Sequence, residues 1–169
     1  MNKNNELTEA ILSTVKARGL KRVIVTGYSL GGAVAALYLL EAGQDLVKRG
    51  VDIRGVTFGC PRFIETKDAI KLPHSMTSRI FNVFVEGDPI PLDLTAILGF
   101  IDYSHVGNSM TIKDDGGGIT LHEDHGLGES DSYIKWWGLR PPSGWDSHFS
   151  ETYNRHLQMT EDLLLLKKQ

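Results

Sequence analysis

Residues 23–36 read Val-Ile-Val-Thr-Gly-Tyr-Ser-Leu-Gly-Gly-Ala-Val-Ala-Ala: a short apolar run, a G-x-S-x-G pentapeptide and the start of an alanine-rich helix. The pentapeptide Gly27-Tyr28-Ser29-Leu30-Gly31 alone is weak, because short glycine-serine patterns arise by chance; its context supplies what the chemistry needs. Val23-Ile24-Val25 predicts a buried parallel strand, and Ala33, Leu37, Leu40 and Leu46 give the following helix an apolar face. A serine on the sharp turn between strand and helix stands at the tip of a sheet with its hydroxyl exposed. Gly27 and Gly31 are expected where a side chain would collide with the neighbouring strand or helix. The helix N-terminus aims unpaired N–H groups at any oxyanion formed beside the serine. Ser29 is therefore the candidate nucleophile; the plainer alternative is an ordinary serine in a glycine-rich turn.

On either side of this stretch, strands alternate with helices. Residues 6–18 predict a helix with Leu7, Ile11, Leu12 and Val15 on one face and Gly19 as its stop. The strand at 22–26 and a helix at about 30–49 follow. Residues 53–58 complete a βαβ unit. A helix at 63–71 leads to a strand at 79–85, and 110–113 with 118–121 form a hairpin across Asp114-Asp115-Gly116-Gly117. A loop rich in Trp, Pro and Ser covers about 126–147, and a last helix runs over about 148–166. This order predicts one α/β domain over residues 1–169: a mostly parallel sheet with flanking helices and a C-terminal β-hairpin.

A chain of 169 residues can bury a real core. Its net charge of −3, without a basic stripe, argues against nucleic acid as a partner. No stretch approaches the roughly 20 apolar residues of a membrane span. The N-terminus lacks a secretory signal's apolar core, so the cytoplasm is the default expectation. Cys60 is the only cysteine, which rules out an intrachain disulfide and marks it as a small packed residue.

A serine hydroxyl needs a histidine within hydrogen-bond reach and a carboxylate to orient that histidine. On a parallel sheet these follow in the order Ser, Asp or Glu, His. The 79–85 strand runs into Glu86-Gly87-Asp88-Pro89-Ile90-Pro91, so Asp88 emerges at the serine's edge on a rigid turn. Asp93 and Asp102 lie further along, and Glu86 can belong to the strand. Among six histidines, His74 precedes Asp88 and breaks the order, and His156 falls inside the last helix. His122 and His125 sit in a charged run, His122-Glu123-Asp124-His125, that lacks the H-E-x-x-H helical spacing of a metal site. His105 and His148 remain, with spacing favouring His148 only slightly.

These residues together resemble the class 3 lipases, the fungal-lipase-like branch of the α/β-hydrolases. Val25 to Ala33 is similar to the family's V-T-G-H-S-L-G-G-A elbow, with Tyr28 in place of histidine. Thr57 to Arg62 resembles T-F-G-x-P-R, Asp88 to Pro91 the D-x-V-P turn, Tyr103 to Gly107 the Y-x-H-x-G segment, and His148 to Tyr153 the H-S-M-S-S-Y pattern. The resemblance implies a triad of Ser29, Asp88 and His148, with Leu30 N–H as an oxyanion donor and His105 without a base role. It also implies several N-terminal strands, a lid and a second oxyanion donor ahead of the first helix. These are expected to be missing here, which makes the domain a truncated α/β-hydrolase with an apolar edge at residues 22–26.

Leu92, Leu94, Ile97, Leu98, Phe100 and Ile101 follow Asp88 and either line an acyl-chain groove or form a short core segment. Tyr28, Ile90, Leu92 and Leu94 are the substrate-binding candidates. Trp136, Trp137 and Trp145 precede His148 as pocket walls or as cover. The expected activity is hydrolysis of acylglycerol or other lipid esters, with transient contact to a lipid surface and no metal or organic cofactor. A second reading keeps the scaffold as a binding or assembly module without ester turnover, self-associating through the 22–26 edge.

Overall fold

A computed structural model describes residues 3–92, 103–113, 118–122 and 148–166. Helix α1 (Lys3–Arg18) and strand β1 (Arg22–Tyr28) lead into α2 (Leu30–Lys48) and β2 (Asp52–Phe58). Next come β3 (Ile64–Glu65), α3 (Thr66–Ala69), α4 (His74–Thr77) and β4 (Ile80–Val85). The chain continues through α5 (Pro89–Leu92), β5 (Tyr103–Ser104), β6 (Asn108–Ile112), β7 (Ile119–His122) and α6 (Ser150–Leu166).

The main sheet has the order β1-β2-β4-β6-β7, parallel except for the β6–β7 hairpin. It is the mostly parallel α/β arrangement expected from the alternation of strands and helices. Helices α1 and α2 cover one face, where Ala36, Leu39 and Leu46 pack with Ile53 and Ile80. On the other face Tyr153 and Leu157 of α6 pack on Val83, Val85 and Ile112. Across the middle strands, Thr57 donates to Asn82 at 2.7 Å and Asn82 donates to the Val106 carbonyl, so these buried polar groups are satisfied.

Four expectations are corrected. Val23-Ile24-Val25 is not buried throughout: among the described strands β1 lies at the sheet's edge with alternating burial, and Ile24 is 60% exposed. Leu37 on α2 is likewise turned outward, at 45% exposure. In α1 it is Thr8, bonded to the Tyr38 hydroxyl, that takes the buried place assigned to Leu7. The helix expected at 63–71 is instead the short strand β3, paired antiparallel with β5, followed by the single turn of α3. Tertiary pairing overrides local propensity there because Ile64 and Glu65 can bond to Ser104 and Tyr103.

By length and composition, α2 is apolar enough to cross a membrane, contrary to the reading of the sequence. Half of it is buried against the sheet, as in the core helix of a globular domain.

Candidate active site

Parallel strands β1, β2 and β4 end at one edge of the sheet, and the candidate groups collect there. Ser29 follows β1 and caps α2. Its backbone has φ 52° and ψ −128°, and among the described residues it is the only non-glycine with positive φ. Strain of this kind concentrates at sites where a side chain must be held out of the regular path of the chain. The turn is held by the Ser29 N–H donating to the Phe58 carbonyl at 2.8 Å and the Gly32 N–H donating to the Ser29 carbonyl at 2.9 Å.

The glycines divide differently from expectation. A Cβ at Gly27 would lie 2.1 Å from the Gly31 carbonyl oxygen, whereas one at Gly31 would meet open space. The second tight position is Gly32, where a Cβ would stand 3.0 Å from the Cys60 Cβ. The helix therefore packs on the strand end through Gly32 and not through the last glycine of the pentapeptide.

Asp88 stands in the turn after β4 and is wholly buried. Its carboxylate accepts the Ile90 N–H at 2.9 Å and the Tyr153 hydroxyl at 2.6 Å. His148 Nδ1 lies 3.0 Å from both carboxylate oxygens, and its Nε2 lies 3.0 Å from Ser29 Oγ. A carboxylate can only accept, so Nδ1 carries the proton and Nε2 is left as an acceptor for the serine hydroxyl. Three residues separated by 119 positions in sequence thus form one continuous hydrogen-bonded chain.

Tyr153 is the residue that sequence reasoning missed: it entered only as the last position of the H-S-M-S-S-Y resemblance, with no role of its own. Its hydroxyl donates to Asp88 and accepts the Val85 N–H at 3.2 Å. Burial, then the Asp88 charge, push its phenol far up, so it stays protonated and keeps donating. A signal was available: an aromatic residue with a polar tip, placed in the first turns of a helix that opens on the candidate base. Gly59 was also missed. At φ +55° it passes so close to the site that a Cβ would stand 3.1 Å from Asp88 Oδ2 and 3.2 Å from His148 Cε1.

The remaining candidates fall away from this chain. The Nε2 of His105 lies 2.9 Å from the Pro91 carbonyl and donates to it, which braces the Asp88 turn from behind. Burial lowers its pKa to about 4, so the ring is neutral near pH 7. His156 is buried inside α6 and its Nδ1 lies 2.8 Å from the Thr152 carbonyl. Cys60 is fully buried, and burial pushes its thiol up to about 12, far from thiolate chemistry. Glu86 is exposed in the turn beyond β4. Tyr28 stacks on His148, and Ile90 is buried, 5% exposed, beside Asp88. The side chain of Leu92 lies outside the described residues, as do Leu94, Asp93, Asp102, His125, Trp136, Trp137 and Trp145. Among the described residues no group of three or more His, Cys, Asp or Glu side chains is placed to hold a metal.

A mostly parallel sheet flanked by helices, with a strained serine at the β1–α2 turn, defines an α/β-hydrolase scaffold. The class 3 lipase family model matches residues 2–95, and the chain belongs to that family. Among solved structures it is similar to a triacylglycerol lipase whose catalytic centre is a serine-protease triad, with 26% identity and a TM-score of 0.65. That match covers 86% of this chain and 53% of the lipase. The fold is shared with a mono- and diacylglycerol lipase from Aspergillus oryzae at 20% identity and a TM-score of 0.53, covering 83% of this chain and 55% of that one. A fungal lipase with an unusual buried polar cluster matches at 21% identity and 0.58, over 85% of this chain and 51% of its own. The chain thus spans about half the length of the lipases it resembles. None of the curated proteins matches it.

Proposed function

We propose that this chain is a serine carboxylester hydrolase acting on acylglycerols or related lipid esters. The observation that carries this reading is the unbroken relay Asp88–His148–Ser29, with 3.0 Å at both histidine nitrogens. Ser29 Oγ attacks the ester carbonyl while His148 Nε2 takes its proton. Asp88 holds the ring in the Nδ1–H tautomer and stabilises the imidazolium that forms. His148 then gives the proton to the leaving alcohol, and water hydrolyses the acyl-enzyme by the same route. Leu30, the first residue of α2, offers an N–H that has no acceptor within the helix and serves as an oxyanion donor. The related triacylglycerol lipase built on a serine-protease triad supports both the reaction and the ester class.

A fluorophosphonate probe reports an activated serine directly. Labelling of the full chain at Ser29, abolished in Ser29→Ala, is the expected result. Labelling that survives in Ser29→Ala would assign the chemistry to another residue, and no labelling at all would leave only the scaffold.

The assembly reading has its own supporting observation. Strand β1 ends the sheet with no partner among the described residues on its outer side, and Ile24 is exposed on it. Unpaired N–H and C=O groups on such an edge are a template for strand addition. If the 22–26 edge mediates self-association, Ile24→Lys shifts the chain to a smaller species in sedimentation or size exclusion. A distribution unchanged by Ile24→Lys, or monomeric from the outset, removes this reading.

A further inference from the structure

We propose that Tyr28 is a positioning residue for His148, its ring packed on the imidazole to fix the tilt of that ring and to stabilise its protonated form. The inference rests on the assignment of His148 as the base, and it gives Tyr28 a role other than substrate contact.

The two rings are nearly parallel, with centroids 5.1 Å apart and 23° between planes. In-plane hydrogen bonds at Nδ1 and Nε2 fix two points of the imidazole and leave it free to tilt about the line joining them. A flat ring on one face removes that freedom, while Gly59 leaves room for the Cε1 edge. Tyr28 is itself held: its ring meets Tyr153 edge-on, with centroids 5.9 Å apart and 75° between planes. Tyr153 in turn donates to Asp88, so one aromatic pair braces both the acid and the base.

The electrostatics point the same way. When His148 takes the serine proton, a cation appears against the electron-rich face of a phenol, an arrangement aromatic rings stabilise. Among the described residues, Asp88, from the turn after β4, bonds the imidazole, and Tyr153, from α6, bonds Asp88. Glu151, also from α6, acts on Tyr28. The Asp88 carboxylate, 3.0 Å from Nδ1, favours a cation on the imidazole. Burial and the charges of Asp88 and Glu151 raise the Tyr28 phenol, so its ring stays neutral throughout the working range.

The test needs no turnover. In the full chain labelled with ¹³C-histidine, the His148 Cε1–H resonance is the one missing from His148→Gln. In Tyr28→Leu and Tyr28→Met the pH of half-titration of that resonance is expected to fall by about 0.5 unit, the size of an exposed cation–π contact, and Tyr28→Phe leaves it in place. A midpoint unmoved in Tyr28→Leu and Tyr28→Met, or moved equally in Tyr28→Phe, overturns the proposal. Failure of Ser29 to label would instead overturn the hydrolase reading, and the ring contact would still be measured.

Discussion

Asp88→Asn is expected to lower kcat by about 10,000-fold with little change in KM, the scale set by a triad whose histidine is held in the wrong tautomer. Three donors converge on this buried carboxylate: the Ile90 N–H, the Tyr153 hydroxyl and His148 Nδ1–H. An asparagine brings an N–H₂ into a place where only acceptors are wanted. Either that amide faces His148, and the ring turns to the Nε2–H tautomer that cannot take the serine proton, or it faces Tyr153 and breaks the 2.6 Å bond. Asp88 is wholly buried and acts in the proposed reaction through His148, so the loss is expected in kcat. Steady-state hydrolysis of a p-nitrophenyl ester by the purified variant reads it directly. A variant within tenfold of the parent would show that Asp88 does not orient the base.

Gly27→Ala is expected to cost folding itself, by at least about 3 kcal/mol, the upper range for overpacking a site that cannot relax. The new Cβ would stand 2.1 Å from the Gly31 oxygen, 2.3 Å from its carbonyl carbon and 2.7 Å from the Gly32 nitrogen. All three are backbone atoms in the first turn of α2, so no side chain can swing aside. Relief requires lifting the helix from the strand end, which also breaks the Gly32 N–H bond to Ser29 and opens the elbow. Gly31→Ala, with open space around its Cβ, serves as the contrast and is expected to fold. Urea unfolding of the pair measures the difference; equal midpoints would mean that the elbow tolerates a side chain at residue 27.

Much of this was legible along the chain because the signals are local. The β1–α2–β2 unit announces itself through a β-branched run, a glycine-bracketed serine and an alanine-rich helix. Asp88 is legible because a strand running into a Pro-x-Pro turn delivers it to one edge. The choice between His105 and His148 was not local. It depends on where β5 and α6 pack, and spacing alone favoured neither strongly. The burial of Ile24 was misread for the same kind of reason: a β-branched strand looks the same in sequence at the centre and at the edge of a sheet. Leu7 lost its place to Thr8 because the Tyr38 hydroxyl offers a buried hydrogen bond, a partner 30 residues away.

Periodicity, turn chemistry and chain order were enough to read the α/β class, the elbow and the Ser, Asp, His order of the candidate groups. How these groups are held is set by packing between elements far apart in the chain. The Tyr153 bond to Asp88, the Tyr28 ring on His148, the close pass of Gly59 and the exchange of Gly31 for Gly32 at the tight position are contacts between separate elements. No spacing rule encodes them, since they depend on how a helix and a strand end come to rest against each other in three dimensions.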